Sequence, residues 1–185
     1  MSQKIENARE KLMTSGRNFL LRNRDGKNGK FSVRDLTTEC DMALGTFYRY
    51  FQSKDDLVRQ ILSEEWDRMI DSLNPIMQSD TTLFEKVRGI YEQIDEFESN
   101  YRFSAMGLLN SSAESLSFRE QNMRKMYDKI EAFLQQEIDC GRLVLSADLK
   151  SASYLLVQLF ISTGRNPAMS FEDLWACMTF RDTSC

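Results

Sequence analysis

The chain has 185 residues, of which 42% are hydrophobic, a size and composition that suit one medium domain or a small domain joined to a larger one. Its charged N-terminus and the shortness of its apolar runs predict neither a signal peptide nor a membrane span, so we expect a cytoplasmic protein with no membrane partner. It has no histidine, and its four cysteines form no CxxC pair. We therefore expect no metal site, no cofactor and no catalytic residues, hence no enzyme.

The net charge of −4 is unevenly distributed along the chain. Residues 1–58 contain 11 Lys and Arg against 8 Asp and Glu, a net charge of +3, whereas residues 59–185 have a net charge of −7. A net charge of +3 is ordinary for a segment of this length. Together with an acidic remainder, it is the asymmetry expected if only the N-terminal part meets a polyanion.

The N-terminal part of the sequence predicts two helices joined by a polar loop. The first helix has apolar residues at helical spacing as far as Leu20. A Gly-containing loop follows at 23–30. Ser32, with Asp35 three positions later, has the spacing of a capping box and begins the second helix.

A tight turn and a third, short helix come next. Asp41 and Met42 form the predicted turn, and the third helix covers 43–50. Phe47 and Phe51 are four residues apart, so both are assigned to the buried side. The other side is left free to meet a partner.

Beyond residue 52 the sequence predicts six further helices and no sheet. Capping signals, such as Ser170 with Asp173 at the start of the last helix, and helix-stopping residues mark most of their ends. The predicted ranges are 53–74, 82–98, 101–116, 117–140, 147–164 and 170–180. The only strand-like run, Leu143 to Leu145, is too short and isolated to build a sheet. The predicted fold class is therefore all-α, with about nine helices.

Three motifs within residues 32–57 are specific: SVRDL at 32–36, GTFYRYF at 45–51 and SKDDL at 53–57. Together they resemble the N-terminal DNA-binding domain of TetR-family transcriptional regulators. The resemblance implies a three-helix helix-turn-helix domain over 1–52. It also implies a helical ligand-binding and dimerisation domain over 53–185.

The resemblance also implies a function. We expect a transcriptional regulator, commonly a repressor, that binds a palindromic double-stranded DNA operator as a homodimer. A largely apolar small-molecule effector would favour a conformation that moves the two DNA-binding heads apart. The alternative is a helical ligand-binding or protein-interaction module with a vestigial DNA-binding head. A helical enzyme is a third possibility, which nothing in the residue spacing supports.

Nine residues form the DNA interface that the resemblance implies. They are Ser32, Arg34, Leu44, Gly45, Thr46, Tyr48, Arg49, Tyr50 and Lys54. The hydroxyl and cationic groups among them suit phosphates and base edges, and an arginine can bind guanine with two hydrogen bonds. Glycine allows close backbone approach. For Ser32, a helix cap alone is a sufficient explanation.

Three positions depart from the family pattern. Asp41 stands where the turn usually has glycine, although aspartate can also adopt the left-handed conformation. Ala43 and Leu44 stand where serine and lysine are frequent. Because Leu44 can contact a thymine methyl but not a phosphate, the sequence does not identify the operator.

The remainder of the chain is expected to hold the effector pocket and the dimer interface. Predicted pocket residues are Trp66, Met69, Ile70, Phe84, Tyr91, Phe103, Met106, Asn110 and Tyr127. Predicted interface residues, on the last two helices, are Leu155, Leu156, Leu159, Phe160, Phe171, Leu174, Trp175 and Met178. The alternative for each of these residues is an ordinary place in the core of one chain.

Overall fold

A computed structural model describes residues 2–25, 32–109 and 113–178, with side chains described over 7–25, 32–102 and 116–178. In those ranges the chain forms eight α-helices and no strand. The helices are α1 (Ser2–Arg22), α2 (Val33–Glu39), α3 (Leu44–Tyr50), α4 (Lys54–Met77), α5 (Leu83–Leu109), α6 (Ala113–Asp139), α7 (Leu149–Gly164) and α8 (Phe171–Cys177). The all-α prediction is confirmed.

The predicted break between two helices near residue 100 is wrong, because α5 is continuous over Leu83–Leu109. Ser99 and Asn100 lie at the predicted break, but each costs only about 0.5 kcal/mol within a helix, and the flanking apolar residues outweigh that. Ser117 is likewise no cap, since it lies inside α6. The described ranges therefore contain one helix fewer than predicted, because the predicted helices 82–98 and 101–116 form a single helix over most of their length.

Two other predicted ends are shifted. Helix α4 continues through Pro75 to Met77 rather than ending at 74. A proline this close to a helix end loses one backbone hydrogen bond, while Gln78 N still donates to the Asn74 carbonyl at 3.1 Å. Helix α7 begins at Leu149, because Asp148 rather than Ser146 is its N-cap.

The backbone divides into two compact units. The first unit contains Met1–Glu65 and Asn100–Ser117, and the second contains Trp66–Ser99 and Phe118–Cys185. The predicted domain boundary at 52/53 stays a prediction.

The first unit packs α1, α2, α3 and the beginning of α4 around a small core. Phe47 and Phe51 are buried, as predicted, and their ring centroids lie 5.4 Å apart. Gly16 of α1 allows a close approach, since a Cβ there would stand 2.8 Å from the Ile61 Cδ1 of α4. Arg17 of α1 also donates to Glu64 at 2.9 Å and to Glu65 at 2.5 Å, two carboxylates of α4. Shape and charge together fix α1 against α4.

The turn between α2 and α3 depends on Asp41, whose φ is 54°. It is the one non-glycine residue with positive φ in the described ranges, so the prediction of a left-handed aspartate is confirmed. Met42 N closes the turn by donating to the Thr37 carbonyl at 2.8 Å.

We expect Asp41→Ala to lower the free energy of unfolding by about 1 kcal/mol, because alanine resists positive φ. Asp41→Gly, the matched control at the same position, should be neutral or stabilising. Thermal unfolding followed by circular dichroism measures both. Equal melting temperatures for the alanine and glycine variants would contradict the argument.

The second unit buries a larger core that includes an aromatic cluster. Phe84, Tyr91, Phe160, Phe171 and Trp175 meet with centroid distances from 5.1 Å, between Phe84 and Trp175, to 6.2 Å, between Phe171 and Trp175. None of the helices in the described part of the chain has the length and apolar character that a membrane span requires.

A buried ion pair links α5 to α6 within the second unit. The Lys86 ammonium donates to Glu137 Oε1 at 3.0 Å, and the two side chains are 3% and 0% exposed. Arg142, more exposed, donates to both carboxylate oxygens of Glu137, at 2.5 and 3.0 Å. Burial raises the pKa of Glu137, but the hydrogen bonds from Arg142 and Lys86 outweigh it and leave that pKa below its usual value.

Candidate nucleic-acid interface

Helix α3 has one buried side and one exposed side. Phe47 is fully buried, whereas Leu44 is 42% and Tyr48 56% exposed. Gly45 and Arg49 are exposed as well. A short helix held by one phenylalanine therefore presents apolar, aromatic and cationic groups together, which is the mixture that a DNA groove accepts.

The aromatic ring of Tyr48 is supported from inside the first unit. It meets Phe47 edge to face, with centroids 5.3 Å apart. Because the ring is held by a buried neighbour while most of the side chain stays exposed, its orientation is restricted before any partner binds. Thr46 and Tyr50, by contrast, are half-buried.

Gly45 has no atom within 4 Å of the position that a Cβ would occupy. The fold of this chain therefore does not need a glycine there, and we keep close approach to DNA as its predicted purpose. Gly45→Ala should leave the fold intact and, by favouring the helix, raise its stability by up to about 1 kcal/mol.

The same change should weaken DNA binding about tenfold or more, because the added methyl meets the DNA surface. DNA titration followed by fluorescence anisotropy, together with thermal unfolding, separates the two effects. Unchanged affinity in the alanine variant would contradict the predicted contact.

The predicted contacts at the start of α2 are partly occupied by capping. The Ser32 hydroxyl accepts from Asp35 N at 3.1 Å and donates to Asp35 Oδ2 at 2.7 Å, so the predicted capping box is confirmed. The hydrogen bonds from the Ser32 side chain and backbone, in that order, lower the pKa of Asp35. Arg34 is exposed.

The start of α4 is capped by Ser53, whose hydroxyl accepts from Asp56 N at 3.1 Å. The Asp56 carboxylate accepts from Gln52 N at 3.0 Å. Lys54, the first residue of α4, is half-buried. All nine predicted DNA contacts lie in the first unit, and the contacts themselves stay predictions.

The predicted pocket residues whose side chains the structure describes all belong to the one hydrophobic core of the second unit or pack against it. Phe84 and Tyr91 are members of the aromatic cluster of the second unit, and Trp66 meets Phe97 at 5.0 Å. The Tyr127 hydroxyl accepts from Gln158 at 2.8 Å. Met69 and Ile70 pack in the second unit's core. The side chains of Phe103 and Met106, and all of Asn110, lie outside the described residues.

The predicted interface residues divide into buried, half-buried and exposed ones. Leu156, Phe160, Phe171 and Leu174 are buried in the core of the single chain. Leu155 and Leu159 are 55% and 41% exposed. Trp175 and Met178 are half-buried.

Two exposed apolar residues near this surface were missed by the sequence reasoning. Tyr154 is 52% and Val144 is 60% exposed. Val144, Leu155 and Leu159 line one shallow cavity of about 160 Å³ together with Leu134, Leu145, Ser146, Ala152, Leu156 and Met178. Nothing in the sequence distinguishes Tyr154 from its neighbours on an apolar helix, or Val144 from its strand-like neighbours.

Comparison with known proteins gives a family match in the same part of the chain. Residues 29–61 match the family model described as "Bacterial regulatory proteins, tetR family". Comparison with curated protein sequences gives no match.

Solved structures share the fold over most of the chain, and several of them are described as regulators of the TetR family. A putative transcriptional regulator from Rhodococcus sp. RHA1 has a TM-score of 0.74 at 14% identity, covering 91% of this chain and 90% of that one. Reduced NemR from E. coli has a TM-score of 0.70 at 17% identity, covering 92% and 93%. FadR from Bacillus subtilis, in complex with stearoyl-CoA, has a TM-score of 0.67 at 14% identity, covering 90% and 86%.

Proposed function

We propose that this protein, a TetR-family regulator by its N-terminal domain, binds a palindromic operator as a homodimer and represses transcription until a small molecule releases it. The observation that carries the proposal is the exposed side of α3. Leu44, Tyr48 and Arg49 stand in solvent there, on a helix whose other side is fixed by Phe47.

Each exposed group has a chemical counterpart on DNA. Arg49 can neutralise a phosphate or bind guanine, and Tyr48 can donate its hydroxyl to a phosphate oxygen. Leu44 can pack on a thymine methyl but cannot bind a phosphate. We therefore expect an operator half-site that includes thymine at the position facing the N-terminal end of α3.

The dimer would be formed through α7. Leu155 and Leu159, four residues apart on α7, are both largely exposed, and the exposed Tyr154 beside them extends this apolar surface. A two-fold dimer would place the two copies of α3 about one DNA turn apart, roughly 34–36 Å, which is the spacing that adjacent half-sites require.

The effector is proposed to be largely apolar and to bind among the helices of the body. FadR of Bacillus subtilis holds stearoyl-CoA, so acyl-CoA thioesters belong in a first screen beside smaller apolar compounds. An effector can shift DNA affinity only by its own difference in affinity for the two conformations. A set of compounds that bind the protein and leave operator affinity unchanged would contradict this part of the proposal.

The experiment that tests DNA binding uses fragments from the gene's own upstream region, titrated with the full-length protein at several salt concentrations. A specific regulator should prefer one fragment and lose affinity steeply as salt rises. Equal, weak binding to all fragments would favour the alternative, a ligand-binding module with a vestigial head.

Arg49→Ala should weaken specific binding about tenfold and reduce the slope of log affinity against log salt by about one. Arg124→Ala is the matched control, since Arg124 is also an exposed helical arginine but lies on α6. Fluorescence anisotropy at several salt concentrations measures both variants. If the two lost affinity equally, α3 would not be the DNA-contacting helix.

A further inference from the structure

A groove in the first unit lies between α1 and the C-terminal end of α2. Its volume is about 430 Å³, and it is open to solvent. The lining consists of Asn7, Glu10, Lys11, Thr14, Ser15, Asn18, Glu39 and Cys40. None of these residues is a predicted DNA contact. The volume falls within the range of small-molecule sites, and the lining offers amides, hydroxyls and charges of both signs.

Cys40 joins this groove to the helix-turn-helix. Its thiol donates to the Lys11 carbonyl of α1, with sulfur and oxygen 3.7 Å apart. Its backbone N–H caps α2 by donating to the Leu36 and Thr38 carbonyls. Asp41, with its positive φ, follows directly and leads into α3. The Cys40 sulfur therefore lies where α1 meets the turn that orients α3.

Ser15 supplies a second, independent indication of a ligand. The residue is 9% exposed, and among the described residues its hydroxyl has no hydrogen-bond partner. A buried hydroxyl without a partner is disfavoured, so a bound polar atom that completes its hydrogen bonding is favoured. A solvent-open groove with such a hydroxyl at its wall is suited to a polar molecule.

We propose that the groove binds a small polar disulfide of peptide-like chemistry and that Cys40 forms a mixed disulfide with it. The Cys40 thiol loses its proton to solvent, and the thiolate attacks one sulfur of the bound disulfide. A new S–S bond forms, the original S–S bond breaks, and the departing thiolate takes up a proton. Cys40 is oxidised and the departing half is reduced, so the exchange needs no further oxidant.

The adduct changes the contact between α1 and the turn. The sulfur no longer has a hydrogen to donate to the Lys11 carbonyl, and the attached group occupies the groove. Resting on the proposed function, the consequence is that Cys40 modification lowers operator affinity and reduction restores it. The protein would then respond to thiol redox state through its head, independently of an effector in its body.

The chain contains its own reference thiols for a test. Cys140 and Cys177 are exposed, whereas Cys40 is half-buried. If exposure alone set the rate of reaction with a disulfide, Cys40 would react most slowly of the three. Full-length protein is treated with glutathione disulfide, and in parallel with 2-hydroxyethyl disulfide, which lacks peptide groups. Peptide mapping by mass spectrometry gives the extent of reaction at each cysteine over time.

We expect glutathione disulfide to modify Cys40 about tenfold faster than Cys140 or Cys177, a preference that 2-hydroxyethyl disulfide should not show. Ser15→Ala should reduce the preference while leaving the hydroxyethyl reaction unchanged. A Cys40 rate equal to or below the reference thiols with glutathione disulfide would overturn the proposed site, whether or not the protein binds DNA.

The regulatory consequence has its own measurement. A variant with Cys140→Ser, Cys177→Ser and Cys185→Ser keeps Cys40 alone, and its mixed disulfide should bind operator DNA at least about tenfold more weakly until dithiothreitol is added. Cys40→Ser, which keeps a hydrogen-bond donor, should bind DNA and ignore glutathione disulfide. Complete modification with unchanged DNA affinity would overturn the regulatory step, whereas failure of the reduced protein to bind any DNA would contradict the proposed function instead.

Discussion

Glu137→Gln should lower the free energy of unfolding by about 3–5 kcal/mol, because it leaves the Lys86 ammonium buried without its anion. Lys86 is 3% exposed, so water cannot replace the lost carboxylate. Lys86→Met should cost less, since Glu137 keeps both of its hydrogen bonds from Arg142. Urea denaturation followed by circular dichroism compares the two variants.

The control for this comparison is Glu92→Gln. Glu92 pairs with Arg88 at 3.2 Å on the surface, where both side chains are about half exposed or more, and such a pair contributes at most about 0.5 kcal/mol. If Glu137→Gln cost no more than Glu92→Gln, the ion pair would not be buried in solution. A loss from Lys86→Met greater than that from Glu137→Gln would contradict the role given to Arg142.

The pH dependence of stability follows from the same site. The pKa of Glu137 is lower in the folded state than in the unfolded state, where it is about 4.3. The stabilisation that the ionised carboxylate gives to the folded state is therefore fully present above about pH 4.3, and it is lost as pH falls through the folded pKa. We expect the stability difference between wild type and Lys86→Met to shrink below about pH 4 for this reason.

Leu155→Glu combined with Leu159→Glu should convert the proposed dimer into monomers. Two carboxylates per chain would meet their copies across a two-fold contact, where charges separated from water are strongly disfavoured. Both leucines are largely exposed in the single chain, so its own fold should survive. Sedimentation velocity and circular dichroism measure assembly and folding separately.

Operator affinity should fall with the dimer, by about 100-fold or more, because two linked heads bind far more tightly than one. Leu116→Glu is the control, since Leu116 is 51% exposed on α6. A doubly substituted protein that still sediments as a dimer would exclude α7 as the interface. A monomer that bound the operator as tightly as wild type would contradict dimeric recognition.

The features that the sequence predicted well are local. The capping boxes of Ser32 with Asp35 and of Ser170 with Asp173 join groups three residues apart, so no distant part of the chain is needed to form them. The burial of Phe47 follows from helical periodicity. The family resemblance rested on contiguous motifs, and the matching family model covers the same region, 29–61.

The candidate site was only partly accessible from sequence. Periodicity identified α7 as apolar but could not tell which of its leucines are buried and which are exposed. Leu155 is exposed, whereas Leu156 is buried. Neighbouring residues on a helix differ by about 100° in direction, so which one is covered depends on where other helices pack. The groove around Cys40 was missed for the same reason, because residues of α1 and α2 build it jointly.

The sequence by itself determined the all-α class, the capping boxes of α2 and α8 and the family resemblance of the N-terminal part, since each depends on residues within a few positions of one another. Only the tertiary structure decided which apolar residues remain exposed, how Lys86 finds Glu137 across 51 positions, and that Ser15 and Cys40 share a groove. Those outcomes depend on contacts between residues that are far apart in the sequence, because packing against a distant helix decides which side chains are buried.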